Sequence, residues 1–114
     1  MGDSKPIVRT ATAGDFDAVL ALWSAERSAH ATTADRREDL ERLVAETRSV
    51  LLVAERDGAV VGALIAAWDG WRGNMYRLAV REDCRRQGIA LTLARAGEAH
   101  LEAHGARRVT ALTA

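Results

Sequence analysis

The dipeptide Asp-Gly occurs at Asp57-Gly58 and again at Asp69-Gly70, each time between two apolar runs. In that setting it is the strongest short signal for a tight reversal between antiparallel strands, because both residues tolerate a positive φ. Residues 50–55, 59–68 and 71–80 are therefore expected as three strands of an antiparallel meander. Trp68 and Trp71, on either side of the second turn, are expected to pack across it as a cross-strand pair, with lining of an acceptor pocket as the other reading.

The flanking segments follow other periods. Residues 7–11 lean towards β structure through Ile7, Val8 and Thr10. Thr12 with Asp15 three residues later reads as a helix start. Phe16, Val19, Leu20 and Trp23 then recur on one helical face, fading near Ser28. A polar stretch from His30 to Thr33 breaks the pattern. Thr33 or Asp35 opens a second helix, with Leu40, Leu43, Val44 and Thr47 on one face and a mixed-charge surface opposite. After Val80 comes a polar turn over residues 81–87. Gly88 leads into a third helix carrying Leu91, Leu93, Ala94, Ala99 and Leu101, with Gly105 at its stop. Residues 107–113 read as a last strand, parallel to the strand before this helix and joined to it by a right-handed crossover. The order is β-α-α-β-β-β-α-β, an α/β (α+β) chain forming one domain over residues 1–114.

Composition narrows the function. Lys plus Arg and Asp plus Glu are 16 each, a net charge of zero. That excludes affinity built on bulk charge, and no nucleic-acid partner is expected. A single cysteine, Cys84, excludes an intrachain disulfide and a cysteine-rich zinc site. His100 and His104 share a helical face without a third ligand. They read as residues suited to the negative end of a helix, so no metal is expected. No apolar run approaches the ~18 residues that would span a bilayer, and the first residues carry no targeting pattern. A cytoplasmic location without a membrane partner is the expectation.

The segment that carries chemistry is Val80-Arg81-Glu82-Asp83-Cys84-Arg85-Arg86-Gln87-Gly88-Ile89-Ala90, between a strand and a helix. The first turn of a helix has amides without intrahelical partners and a positive dipole end, so phosphate oxygens bind there well. Gly88 and small Ala90 let a diphosphate approach the backbone, and Arg85 and Arg86 add guanidinium donors. No Gly-Lys-Ser/Thr follows and no GxGxxG is present, so neither a Walker loop nor a dinucleotide fingerprint fits. The spacing is R/Q-x-x-G-x-G/A, through Arg85, Gly88 and Ala90. It arises by chance about 0.1 times in a chain of this composition, and its place after a meander and before an amphipathic helix sharpens it.

With this signature the chain resembles the GNAT superfamily of acetyl-CoA-dependent N-acetyltransferases, from about Ile7 onward. The resemblance implies that the strand before the signature bulges and splays from the next parallel strand. Pantetheine would pair there with Leu78 and Val80. The diphosphate would lie on the amides of Arg86, Gln87, Gly88, Ile89, Ala90 and Leu91, supported by the side chain of Arg85. The implied reaction is direct acetyl transfer from acetyl-CoA to an amine of a small molecule or protein, with the Val80 amide stabilising the oxyanion. Trp23, His30 and Asn74 are the candidate acceptor-side residues. From its position alone Trp23 reads first as core, and His30 as an exposed loop residue. Where related chains carry a glutamate base, the matching position here is Asn74, which cannot take a proton, so the base is unassigned or is a water chain. Domains of the superfamily add a helix and two strands after the last strand seen here. The resemblance thus implies an incomplete C-terminal part and an open apolar edge along residues 107–113, which a homodimer partner or another subunit would cover. The same fold without turnover, as a CoA-binding or protein-interaction module, is the other functional expectation.

Overall fold

The computed structural model of the chain describes residues 5–26 and 35–111. Strand β1 (Ile7–Thr10) is followed by a short 3-10 turn (Ala13–Asp15) and helix α1 (Phe16–Glu26), then helix α2 (Arg37–Ala45). The meander is β2 (Ser49–Arg56), β3 (Ala59–Trp68) and β4 (Gly73–Val80). A second 3-10 turn (Glu82–Cys84), helix α3 (Ile89–Ala103) and strand β5 (Val109–Ala111) complete the order. The five strands form one sheet in sequence order. Neighbours are antiparallel from β1 to β4, and β4 and β5 are parallel. The expected order of elements is the one observed.

Period-two alternation in the strands divides the core into two layers. Val50, Leu52, Leu64, Ala66 and Met75 meet Ile89, Leu93 and Leu101 of α3 on one face. Leu51, Val53, Ala63 and Ile65 meet Phe16, Val19, Leu22 and Trp23 of α1 and Leu40 of α2 on the other. The start of α1 is fixed as the Thr12/Asp15 pair predicts. The Asp15 carboxylate accepts the Thr12 N–H at 2.7 Å, and the Asp15 N–H donates to the Thr12 carbonyl at 2.9 Å. At the first hairpin Asp57 and Gly58 both take positive φ, 53° and 81°.

Four local expectations differ from the structure. Helix α2 opens one turn-step later than Asp35. Its start is marked by the Asp39 carboxylate accepting the Arg36 N–H, while Thr33 lies outside the described residues. Only Leu40 of its expected face is buried, and Thr47 falls past the end of the helix. The second hairpin has a longer turn than Asp-Gly alone. The Asp69 carboxylate accepts the N–H groups of Trp71 and Arg72 at 2.8 and 2.7 Å, so β4 begins at Gly73, which sits opposite Trp68. Trp71 is therefore in the turn, 70% exposed, with the Arg108 guanidinium 5.0 Å from its ring centre rather than Trp68. On α3 the buried residues are Ile89, Leu93, Gly97 and Leu101, so of the expected set Leu93 and Leu101 are buried while Leu91, Ala94 and Ala99 are not.

Candidate functional site

The site begins on the second half of β4. From Gly73 to Met75 the strand is paired on both sides, with Trp68, Ala67 and Ala66 of β3 and with Val109, Thr110 and Ala111 of β5. Past Met75 its pairing with β3 continues, and the described part of β5 ends at Ala111. Tyr76 is still opposite Ile65, but Ala79 is opposite Ala63, so Arg77 and Leu78 together face Leu64. This is a β-bulge, one residue more on β4 than on its partner. Arg77 takes φ 60° within it.

The extra residue determines where an amide points. In an antiparallel ladder, pairs alternate between hydrogen-bonded and non-hydrogen-bonded. The Arg81 N–H donates to the Val61 carbonyl at 2.7 Å, so the adjoining pair, Val80 and Gly62, is the non-bonded kind. The Val80 amide and carbonyl thus turn away from β3, into the gap beside β4. Without the bulge Val80 itself would stand opposite Val61, with its amide tied to β3. The implied bulge is present, while the stretch where β5 would splay from β4 lies past Ala111, outside the described residues.

The loop after β4 folds back on the core. Cys84 is 3% exposed and packs in the α3-side layer. The Arg85 N–H donates to the Glu82 carbonyl, and the Arg85 Nε donates to the Val80 carbonyl at 3.2 Å, tying the loop to the strand end. Asp83 is held below the ordinary aspartate range chiefly by the Arg81 Nε–H, 2.6 Å away. Arg86 and Gly88 both have left-handed backbone, φ 65° and 81°, which turns consecutive amides towards one side. The next bonded amide is that of Thr92, which donates to the Gly88 carbonyl at 3.0 Å while its hydroxyl donates to the same oxygen at 2.9 Å. Among the described residues, the amides from 86 to 91 find no acceptor within the chain.

These groups surround a cavity of about 430 Å³ lined by Leu78, Ala79, Val80, Arg85, Arg86, Gly88, Ile89, Ala90 and Leu91. Eight of the nine cofactor-side positions singled out from the sequence therefore meet at one place. Gln87 belongs to the same loop but does not line the cavity, and Ala79, which the sequence did not mark, does. The lining holds two guanidinium groups and no carboxylate. A β-carbon on Gly88 would meet nothing within 4 Å, so the space above its backbone is open to a ligand. Unpaired amides, a helix start and cationic side chains in one concavity fit a diphosphate.

The acceptor-side candidates are not brought together. Trp23 takes the interior place of the two open to it. It is 3% exposed and its Nε1–H donates to the Arg77 carbonyl at 2.8 Å. Asn74 stands on β4 between Ala67 and Thr110, outside the cavity lining. His30 lies outside the described residues. The sequence reading also missed Arg77. Its signal was a break in alternation. Met75 packs towards α3 and Tyr76 towards α1, yet Ala79 faces α1 again, and an unbroken strand would put it with Met75. A larger concavity of about 490 Å³ adjoins on the α1 side, lined by Ala18, Ala21, Leu22, Ala25, Val60, Arg81, Glu82 and Arg85. Among the described residues no group of three or more His, Cys, Asp or Glu side chains could hold a metal ion, and no helix is long and apolar enough to cross a membrane.

Comparison with known proteins gives a consistent picture. Residues 16–114 match the acetyltransferase (GNAT) family. The chain is 36% identical over 95 residues to the acetyltransferase ECA0875 of Pectobacterium atrosepticum, covering 83% of this chain and 67% of that protein. Its backbone superposes on AAC(6')-Iy, solved with the bisubstrate analogue CoA-S-monomethyl-acetylneamine, with a TM-score of 0.81 at 18% identity, over 97% of this chain and 81% of that one. It superposes on a transcriptional regulator from Bacillus halodurans with a TM-score of 0.80 at 16% identity, over 96% of this chain and 82% of that one. At such identities the two structures speak for the fold.

Proposed function

The chain belongs to the acetyltransferase (GNAT) family, and on that premise we propose that it moves an acetyl group from acetyl-CoA to an amine of a small molecule or protein. The observation that carries the donor is the run of unbonded amides from 86 to 91, opening into a cavity shared with Leu78 and Val80. In this reading those amides and the Arg86 guanidinium take the diphosphate. The side of β4 that faces away from β3 near Val80 takes the pantetheine arm as an added strand. Arg85 braces the loop through the Val80 carbonyl. The Val80 amide, turned into the gap, donates to the thioester oxygen, where negative charge grows as the amine attacks. A bond forms from nitrogen to the acetyl carbon and the carbon–sulfur bond breaks. One proton must leave the amine and one must reach the departing sulfur. Among the described residues no carboxylate, imidazole, phenol or thiol lines the cavity, so in this reading water carries both protons.

The test is ligand-induced stabilisation. Saturating acetyl-CoA should raise the unfolding midpoint, whereas ATP and NAD at the same concentration should not. No shift with acetyl-CoA would end the proposal. The absence of a proton-transferring side chain from the cavity lining favours a second reading, a CoA-binding module without turnover. Acetylation of any member of an amine panel above the uncatalysed rate would exclude it.

We also propose a subunit contact along β5. Among the described residues that strand is paired on one side, with β4, and Val109 is 36% exposed. An open apolar edge of this kind invites a further strand. Light scattering on an eluting peak at micromolar concentration should give twice the chain mass, and a stable monomer would count against the contact.

A further inference from the structure

An added residue in a strand breaks the ladder locally, and a carbonyl released from it needs another donor. The Arg77 carbonyl finds one across the sheet face, in the buried Trp23 Nε1–H at 2.8 Å. Arg77 also holds a left-handed backbone, φ 60°, which a β-carbon disfavours. Its guanidinium lies 5.5 Å from the centre of the same indole and forms an ion pair with Asp35, just ahead of α2. Backbone and side chain of one strained residue are thus gripped from two separate elements. Neither Trp23 nor Asp35 lines the cavity.

We infer that Trp23 and Asp35 are positioning residues for acetyl transfer. They hold Arg77 in the bulge and so keep the Val80 amide turned into the cleft. The inference rests on the acetyl-CoA reading above. The ladder without the bulge is the competing arrangement, and it would take that amide to Val61. The indole N–H bonds the Arg77 carbonyl where the bulge places it, so it favours that arrangement.

The experiment measures acetyl-CoA affinity and thermal midpoint for the unsubstituted chain, Trp23→Phe, Asp35→Asn, and Val19→Ala as a control. Val19 is fully buried one turn before Trp23 on the same helix, and its side chain has no group that could bond the Arg77 carbonyl. Trp23→Phe keeps most of the ring volume and removes the donor. It should weaken acetyl-CoA about fivefold, the equivalent of about 1 kcal/mol. Asp35→Asn should weaken it about twofold. Val19→Ala should lower the midpoint and leave the affinity unchanged. In an Arg77→Gly background, where glycine takes φ 60° without strain, the effect of Trp23→Phe should shrink below about twofold. Unchanged affinity in Trp23→Phe, an equal loss in Val19→Ala, or an undiminished effect in the Arg77→Gly background overturns the inference while the acetyl-CoA reading stands. An unsubstituted chain that binds no acetyl-CoA removes both.

Discussion

At Gly88 a β-carbon would meet nothing within 4 Å, and φ is 81°. These two facts separate two costs of substitution. Gly88→Ala should cost about 1 kcal/mol of stability through the left-handed backbone alone, a drop of several degrees in a domain of this size. Gly88→Val should cost more and also fill the open space, so its unfolding midpoint should no longer respond to acetyl-CoA. A valine variant that still responds would place the ligand elsewhere. Asp15 gives a residue-scale prediction about acid. It is 8% exposed, accepts from both Arg9 Nη groups at 2.7 and 2.9 Å, and accepts the Thr12 N–H. Chiefly through Arg9, its carboxyl lies well below its ordinary value of 3.8. A lowered carboxyl contributes stability that is complete above the ordinary value and drains as pH falls from there towards the lowered one. The thermal midpoint should therefore drop as pH goes below about 4. Asp15→Asn should cost about 2 kcal/mol near neutrality and flatten that acid dependence. Equal slopes in the two proteins would remove Asp15 from the account.

At the scale of elements, α3 lies close on the sheet because glycines stand where it crosses. A β-carbon on Gly97 would come within 2.8 Å of Met75 Sδ and 3.0 Å of Leu64 Cδ2, both buried. Alanine gains about 1 kcal/mol over glycine in a helix interior, while overpacking costs about 1–3 kcal/mol. Gly97→Ala should therefore destabilise by about 1 kcal/mol on balance, and chemical denaturation will show the sign. Gly97 is also why the buried face of α3 was not legible. Burial at Ile89, Leu93, Gly97 and Leu101 has a residue without a side chain in its middle, so the apolar pattern shifted towards Leu91, Ala94 and Ala99. The hairpins were legible where the turn needs positive φ, as at Asp57-Gly58. At Asp69 the carboxylate bonds two amides of its own turn, and the strand starts later than the apolar run. Short-range chemistry of that kind hides inside a hydrophobic count.

For the whole molecule, the order of strands and the loop before α3 could be read because both are local in sequence. Residues 78–91 are one continuous stretch, and the unpaired amides follow from a glycine ahead of a helix. What holds that stretch in place was not readable. The Trp23–Arg77 contact joins positions 54 apart and the Asp35–Arg77 pair positions 42 apart, and no periodicity spans such separations. The acceptor side, in turn, depends on residues that the fold keeps apart. The turn of the Val80 amide away from β3 has a further consequence. In deuterated solvent its amides should not behave as a single protected strand. Gly73, bonded to the Arg108 carbonyl, and Arg81, bonded to Val61, should both take up label slowly. Val80, between them in sequence and facing the gap, should take it up fast until an occupant of the cleft slows it.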